Sequence, residues 1–510
     1  MKHGYTVAQI RDAEARAFQI VGPDALMQRA AAGLAAAILR RLRATPEERS
    51  EERGARHEGR YGSVALRDAT GFVPHPVAPQ GAVSGVRAYG ARVLLVVGSG
   101  NNGGDALFAG ALLARRGVRV SAWRTGSSVH EAGWAALRAA GGREVDADAA
   151  ARLLPEQALV VDGVAGIGSR PGLAPAVAAF ASACTEHGVP VVAVDLPSGL
   201  APEPPFTDEP HFVARLTVTF GGYKLCQLLE PVRSDCGEVE LVDIGLDLPE
   251  PAVSQWEQPD LASAWPVPDA RSDKYSRGVV GLDTGSVDYP GAGVLTTSGA
   301  VGAGAGMVRY LGPREVAERI LDRFPNVVVG QGRVQALVLG SGWGERKDRG
   351  IVARAVQAGL PLVVDADGLR YLPPKGHARV LLTPHAGELA RLLGQERSEV
   401  EADPPAAVRT AVETTGCTVL LKGATQYVGT PGENRVWLGI PGPAWTAQAG
   451  SGDVLAGACG TLLAAGLEPV TAALAAASVQ ALTSARHPGP LPPPTLAANF
   501  ASVIEEFAQN

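Results

Sequence analysis

The sequence predicts an α/β protein of two domains, each organised on a mainly parallel β-sheet. Three observations carry that expectation. At 510 residues the chain exceeds what one ordinary hydrophobic core holds. Short apolar runs alternate with helical segments along most of its length, as in βαβ units. Aromatics are only 5% of residues while Leu, Ala, Val and Gly dominate, which suits parallel sheets covered by closely packed helices.

The opening segment, Thr6 to Leu42, has helical spacing at Ala13, Ala17, Ile20, Leu26, Ala30, Leu34 and Ile38. From Ala44 to Gly90 the pattern dissolves into mixed charges and then Pro/Gly-rich sequence, which reads as an insertion, largely loop. A short hairpin at Ser63 to Phe72 is the less supported alternative. Strand-length runs follow at Val93–Val97, Val118–Ala122, Leu159–Val161, Val191–Val194 and Leu216–Phe220. The proline-rich stretch Leu248 to Pro268 looks like a linker, so domains are expected at 1–250 and 251–510. Beyond it come Val279–Leu282, Met307–Tyr310, Ala336–Leu339, Leu362–Val364, Val380–Leu382 and Thr418–Leu421. The apolar stretch Val454 to Leu482 is interrupted at Glu468-Pro469 and reads as two packed helices, not a membrane span.

A net charge of −6, with arginines scattered among acids, disfavours a nucleic-acid partner. Five cysteines without a C-x-x-C pair form neither a disulfide framework nor a zinc site, and no secretory signal is recognisable. A cytoplasmic enzyme acting on small molecules is expected, without membrane or nucleic acid, and assembled as a homo-oligomer.

Two glycine-aspartate loops carry the chemistry. Val93–Val97 leads into Gly98-Ser-Gly-Asn-Asn-Gly-Gly-Asp105 and a helix from Ala106 to Arg116. Free N–H groups at a helix start after a glycine turn make an anion site. Gly98, Gly100 and Gly103 satisfy G-x-G-x-x-G, but no acid closes the next strand to hold a ribose, which disfavours a dehydrogenase. Two further strands end in Asp162 and in Asp195-Leu-Pro-Ser198-Gly. In an open α/β sheet Asp105, Asp162, Asp195 and Ser198 would share one crevice. A single such aspartate is more often a helix cap; three in succession favour a site.

These motifs, with Gly237-Glu-Val-Glu-Leu-Val-Asp-Ile-Gly245, resemble the NAD(P)H-hydrate epimerase domain from Thr6 to about Gly245, apart from the 44–90 insertion. The resemblance implies a Rossmann-like domain that interconverts the R and S hydrates of NADH and NADPH. It implies that Asn101, Asn102, Gly103, Gly104 and Asp105 hold the substrate. The loop of Gly166, Ile167, Gly168, Ser169, Arg170, Pro171 and Gly172 would do so too, together with Asp195. Asn102, Asp162 and Ser198 would carry K+, and Asp162 and Asp195 would be catalytic. Ala106 stands where the family usually has glycine, so its methyl is expected to crowd the phosphate approach.

The second loop, Ala449-Gly-Ser-Gly-Asp453, opens a helix and can set N–H groups against a transferring phosphate with a carboxylate beside it. It is not a P-loop. The residues from Lys274 to Gly278 and from Tyr289 to Ala292 precede it in the chain. So do Gly340-Ser-Gly-Trp-Gly344, Asp365-Ala-Asp367, Leu382-Thr-Pro-His-Ala-Gly-Glu388 and Lys422-Gly-Ala-Thr-Gln426. In this order the segments resemble the ADP-dependent NAD(P)H-hydrate dehydratase over roughly 260–505. A ribokinase-like α/β sheet is implied, with ADP as co-substrate and Mg2+ as cofactor. Asp453 would be the base, Gly452 and Lys422, Gly423, Ala424, Thr425 and Gln426 would bind AMP or ADP, and Ala292, Gly344, His385 and Asp453 would meet the hydrate. Without the family, Lys422 is equally a solvated lysine and His385 a hydrogen-bonded loop residue. Gln448 replaces the family's common threonine.

Two other readings compete. The C-terminal half could be a ribokinase-type small-molecule kinase, and the N-terminal half a nucleotide-binding module without catalysis. Retention of the three aspartates argues against the latter.

Overall fold

The computed structural model describes residues 1–43, 88–345, 348, 350–375, 377–487 and 489–508. The expected insertion at 44–90, with its alternative hairpin, lies outside the described residues apart from 88–90. The chain divides into two compact units, Gly4–Pro251 and Ala252–Asn510, the latter including Met1–His3.

The N-terminal unit takes in the last two residues of β1 (Lys2–Tyr5), then α1 (Val7–Val21) and α2 (Pro23–Arg43). It continues with β2 (Arg92–Val97), α3 (Asn101–Ala114), β3 (Arg119–Arg124), α4 (Glu131–Ala139), β4 (Arg143–Val145), α5 (Ala147–Leu153), β5 (Leu159–Gly163), α6 (Pro175–Glu186), β6 (Val191–Val194), β7 (Leu216–Phe220), β8 (Tyr223–Lys224) and β9 (Glu238–Val242). Seven strands form a sheet in the order β4-β3-β2-β5-β6-β7-β9, parallel throughout. Both faces are covered, as parallel sheets require. Val93, Leu95 and Val97 of β2 pack with Leu34, Ile38 and Leu107, whereas Leu94 and Val96 pack with Val160 and Phe180.

The C-terminal unit contains β10 (Val253–Gln255), α7 (Gln258–Ala264), β11 (Val279–Asp283), α8 (Pro290–Gly302), β12 (Met307–Tyr310), α9 (Arg314–Arg323), β13 (Val328–Val329) and β14 (Ala336–Leu339). Next come α10 (Ile351–Gln357), β15 (Leu362–Val364), β16 (Val380–Leu382), α11 (Ala386–Leu393), α12 (Arg397–Ala402), α13 (Pro404–Thr415) and β17 (Thr418–Leu421). The unit closes with β18 (Tyr427–Gly429), β19 (Val436–Leu438), α14 (Ser451–Ala464), α15 (Pro469–Ala485), α16 (Pro493–Ala498) and α17 (Phe500–Ala508). Its strands run β13-β12-β11-β14-β15-β16-β17-β18-β19-β10. Pairing is parallel from β13 to β17, antiparallel through β18 and β19, and parallel again at β10.

Several expectations need correction. Leu248 to Pro268 is not simply a linker: it holds β10 and α7, and Val253, Trp256, Leu261 and Trp265 are core residues. Elements of three and seven residues are too short to show periodicity beside prolines. The opening helical stretch is broken by Gly22, at φ +77°, into α1 and α2, and a strand precedes both. Helix α3 begins at Asn101 and not at Ala106, because the polar Asn-Asn-Gly-Gly sequence forms its first turn. Val454 to Leu482 does form two helices, and no helix among the described residues is long and apolar enough to cross a membrane.

Helix α14 is buried along nearly its whole length and lies against α8 with the two backbones touching. A Cβ on Gly299 would sit 2.0 Å from the Val454 carbonyl oxygen, and one on Gly457 2.0 Å from that of Thr296. Gly299→Ala should therefore lower stability by about 1–3 kcal/mol through overpacking, despite a helix-propensity gain near 1 kcal/mol. Gly291→Ala, whose Cβ meets nothing, is the control. Denaturant unfolding checks this; equal midpoints for the two variants would count against the backbone contact.

Candidate functional site

In the N-terminal unit the turn from β2 into α3 is tight because backbones cross. A Cβ on Gly98 would lie 1.9 Å from the Val164 carbonyl oxygen, and one on Gly103 2.2 Å from that of Gly98. Asn101 is exposed, while Asn102, Gly103, Gly104 and Asp105 are buried in the first turns of α3, which has no side-chain cap. The N–H groups there are left for an anion. Asn102 Nδ2 and Asp105 Oδ1 are buried without hydrogen-bond partners. Each such group costs about 1–3 kcal/mol, which a bound ligand would relieve. The Ala106 methyl does not crowd the loop: it is buried against Gly163, where a Cβ would come within 2.6 Å of it.

Asp162, at the end of β5, is fully buried and turns to Ser198. It accepts hydrogen bonds from Ser198 N at 2.7 Å, Ser198 Oγ at 2.6 Å and Val164 N at 3.3 Å. Burial pushes its carboxyl up to about 6, with the Ser198 bonds opposing. Ala165 N donates to Ser198 Oγ at 2.9 Å, and Asn102 Oδ1 is 3.2 Å from where a Gly166 Cβ would be. Asn102, Asp162 and Ser198 thus border the start of the 166–172 loop. In that loop Gly168, Ser169, Arg170 and Pro171 are exposed, Gly166, Ile167 and Gly172 partly so. The Arg11 guanidinium of α1 lies beside Gly168.

Asp195 follows β6 in a left-handed conformation, φ +67°, which a non-glycine residue holds only when its surroundings dictate it. Its N–H donates to Val218 O at 2.8 Å, and its carbonyl accepts from Gln227 Nε2 at 2.6 Å. Its carboxylate pairs with the buried ammonium of Lys224, which also donates to Thr219 Oγ1 at 2.9 Å and Phe220 O at 3.0 Å. Asp105 is held well above the usual carboxylate range by burial and then by the charges of Asp195 and Glu14. Burial and Asp195 likewise raise Glu14, against Lys224 and Arg11. The three aspartates therefore separate: Asp105 and Asp195 join Glu14 and Lys224, and Asp162 joins Ser198. Motif reading misses Glu14 and Lys224. The one signal for Lys224 is a charge inside the uncharged run Gly221-Gly-Tyr-Lys-Leu-Cys226.

In the C-terminal unit, β14, β15, β16 and β17 are consecutive neighbours, so the residues after their carboxyl ends stand in a row. These are Ser341, Asp365, Thr383 with His385, and Lys422. Asp365 Oδ1 accepts from Lys422 Nζ at 2.7 Å and Thr383 Oγ1 at 2.8 Å, and Oδ2 accepts from Ser341 Oγ at 2.8 Å. Lys422 is not a solvated lysine. Burial pulls its pKa down, but Asp365, Glu388 and Asp453 outweigh that and raise it. Its Nζ is 3.1 Å from where a Gly452 Cβ would be, at the start of α14. Asp453, in that first turn, is raised to about 7 by burial and then by Asp365, with Lys422 and Ser341 opposing.

His385 caps α11: its Nδ1 accepts from Gly387 N at 3.0 Å, and Glu388 Oε2 accepts from His385 N at 2.9 Å. Its side chain is 55% exposed, so capping leaves Nε2 near the surface. Ala292, in the first turn of α8, meets Gly342, and Gly344 N donates to Asp367 Oδ2 at 2.9 Å. Gly423 and Ala424 are exposed, Thr425 is buried, and Gln426 Nε2 donates to Gly423 O at 3.1 Å. Gln448 ties the loop before α14 to the carbonyl of Leu491. Among the described residues no three or more His, Cys, Asp or Glu side chains are grouped to hold a metal ion.

Two family models match the chain: "YjeF-related protein N-terminus" over residues 23–226 and "NAD(P)H-hydrate dehydratase" over 280–493. The bifunctional NAD(P)H-hydrate repair enzyme Nnr of Mycobacterium leprae is 41% identical, covering 99% of this chain and 98% of that protein. The Escherichia coli protein of the same name is 32% identical, covering 75% of this chain and 78% of its own length. The fold is also similar to an ADP/ATP-dependent NAD(P)H-hydrate dehydratase from Bacillus subtilis co-crystallised with ATP and Mg2+. That likeness has a TM-score of 0.48 at 24% identity, over 50% of this chain and 99% of that one. The relatedness runs through both units, and the chain belongs to the bifunctional NAD(P)H-hydrate repair enzymes.

Proposed function

We propose that the N-terminal unit interconverts the R and S hydrates of NADH and NADPH. The C-terminal unit then dehydrates the S form with ADP, releasing AMP and phosphate. One observation carries the dehydratase reading: Asp453 stands in the first turn of α14, beside Lys422, with its carboxyl raised to about 7. A base near neutrality is strong enough to take a hydroxyl proton and is still ionised in useful amount.

Asp453 takes the proton of the C6 hydroxyl as the hydroxyl oxygen bonds to the terminal phosphorus of ADP, the bond from that phosphorus to the bridging oxygen breaks, and AMP leaves. The N–H groups at the start of α14, Gly452 among them, and the Lys422 ammonium face the transferring charge. Phosphate leaves C6 more readily than hydroxide, and loss of a C5 proton restores the double bond. Lys422, Gly423, Ala424, Thr425 and Gln426 hold the nucleotide, and Ala292, Gly344 and His385 line the hydrate pocket. Both oxygens of Asp365 are taken by Lys422, Thr383 and Ser341. Mg2+ would then be held mainly by phosphate and water, and would supply positive charge to offset that of the phosphates.

In the epimerase unit Asn101, Asn102, Gly103, Gly104, Asp105, the 166–172 loop and Asp195 hold the substrate. Amide, carboxylate and hydroxyl oxygens of Asn102, Asp162 and Ser198 suit a hard cation, and K+ there would offset the buried Asp162 charge.

Asp453→Asn should lower dehydration of the S hydrate by about 10²–10⁴-fold and leave exchange of the epimers unchanged. Restored NADH absorbance with AMP and phosphate is the readout; a stable phosphoester would identify a kinase. Because the base must be ionised, the dehydration rate should climb as pH rises through about 7 and then level. A rate insensitive to pH across that range opposes the base role. Replacing K+ by Li+ should slow epimerisation in the intact protein and not in an Asp162→Ala variant, followed by separating the epimers over time.

A further inference from the structure

Among the described residues, Asp105 carries the one carboxyl oxygen that is buried without a hydrogen-bond partner. Its side chain is 9% exposed, and Oδ1 has no hydrogen-bond partner. Among the described residues no cation offsets its charge: the ammonium of Lys224 bonds Asp195, Thr219 and Phe220 instead. A buried carboxyl without a donor or cation is most stable neutral, and burial with the nearby charges of Asp195 and Glu14 pushes its pKa well up. Asp195 is the opposite case: a carboxylate fixed by a buried lysine and a threonine hydroxyl, on a strained backbone held by Gln227. One carboxyl group holds a buried cation and a hydroxyl and the other holds neither, an asymmetry that suits a division of acid and base work between them.

We propose that Asp105 is the proton donor of epimerisation and Asp195, positioned by Lys224, the proton acceptor. This rests on the epimerase reading above. Carbon C6 of the hydrate bears the hydroxyl and adjoins the ring nitrogen N1. Asp105 gives its proton to the hydroxyl, the C6–O bond breaks, water departs, and the N1 lone pair forms N1=C6. Water then adds to the opposite face of C6, restoring the N1 lone pair and passing one proton to Asp195. Transfer of that proton back to Asp105 closes the cycle with no net gain or loss of atoms, and no oxidant or reductant is needed. Asp162 has no part in proton transfer; its carboxylate is committed to Ser198.

The charges that act on Asp105 are those of Asp195 after β6 and Glu14 from α1; Lys224 of β8 and Arg11 of α1 act in turn on Glu14, and the His130 ring ahead of α4 lies beside Gly104. Glu14 touches neither reacting atom in this scheme and acts as a positioning residue by keeping Asp105 protonated.

The test follows R-hydrate conversion by the full chain across pH, with S-hydrate dehydration by the same preparation as the folding control. Asp105→Asn should slow R-to-S conversion at least about 100-fold while dehydration is unchanged. In the intact protein the epimerisation rate should fall as pH rises through the Asp105 pKa. Glu14→Gln removes a neighbouring negative charge and should move that alkaline limb to lower pH, by about half a unit. A merely structural Glu14 would leave the limb where it is. Asp105→Asn with an undiminished R-to-S rate, or an alkaline limb unmoved by Glu14→Gln, overturns the assignment. If the intact protein dehydrates S-hydrate but never consumes R-hydrate, the epimerase reading itself fails instead.

Discussion

Both units bury a lysine against an aspartate, and the chemistry of each crevice depends on that pair. Lys422 meets Asp365 after β15, and Lys224 meets Asp195 after β6. Taking two charges out of water costs several kcal/mol per ion, and attraction repays it only when the remaining polar atoms are also bonded. Here they are: Thr383 and Ser341 complete Asp365, and Thr219 and the Phe220 carbonyl complete Lys224. The pair then acts outward. A second carboxyl group nearby is raised by its burial and then by the paired aspartate, Asp453 by Asp365 in one crevice and Asp105 by Asp195 in the other. The same arrangement thus leaves one raised carboxyl group in each crevice.

Much of this was legible in the residues. The central strands of both sheets are continuous apolar runs, and the two glycine-aspartate loops stand where the alternation places them, at strand ends before helices. What escaped has physical causes. The strands Arg143–Val145, Glu238–Val242 and Val253–Gln255 are short or carry charges on exposed edge positions, so neither length nor alternation marks them. The stretch around Trp256 and Trp265 enters the core through a few widely spaced large side chains.

At the sites, motifs located Asp453, Lys422 and the Asn-Asn-Gly-Gly-Asp turn but not the electrostatics among them. Lys224 lies 29 residues after Asp195 in the chain. Glu14 is far earlier, on a helix whose spacing speaks only of packing. Which charges face one another is a property of the tertiary arrangement, and a linear motif carries no record of it. His385 illustrates the converse. Its ring satisfies two backbone N–H groups of α11, a role that helix-start chemistry alone would predict.

The backbone contact between Gly299 and Val454 has a consequence for how this scaffold can diversify. A helix pressed carbonyl-to-Cα against its neighbour has no room to translate or roll, so Asp453 is mounted on a fixed bearing. Under the proposed role of Asp453, selectivity would then be adjusted from the loops at Tyr289, Gly344 and Gln448. Homologous chains with altered tastes would differ in those rims while their two facing glycines stay as they are.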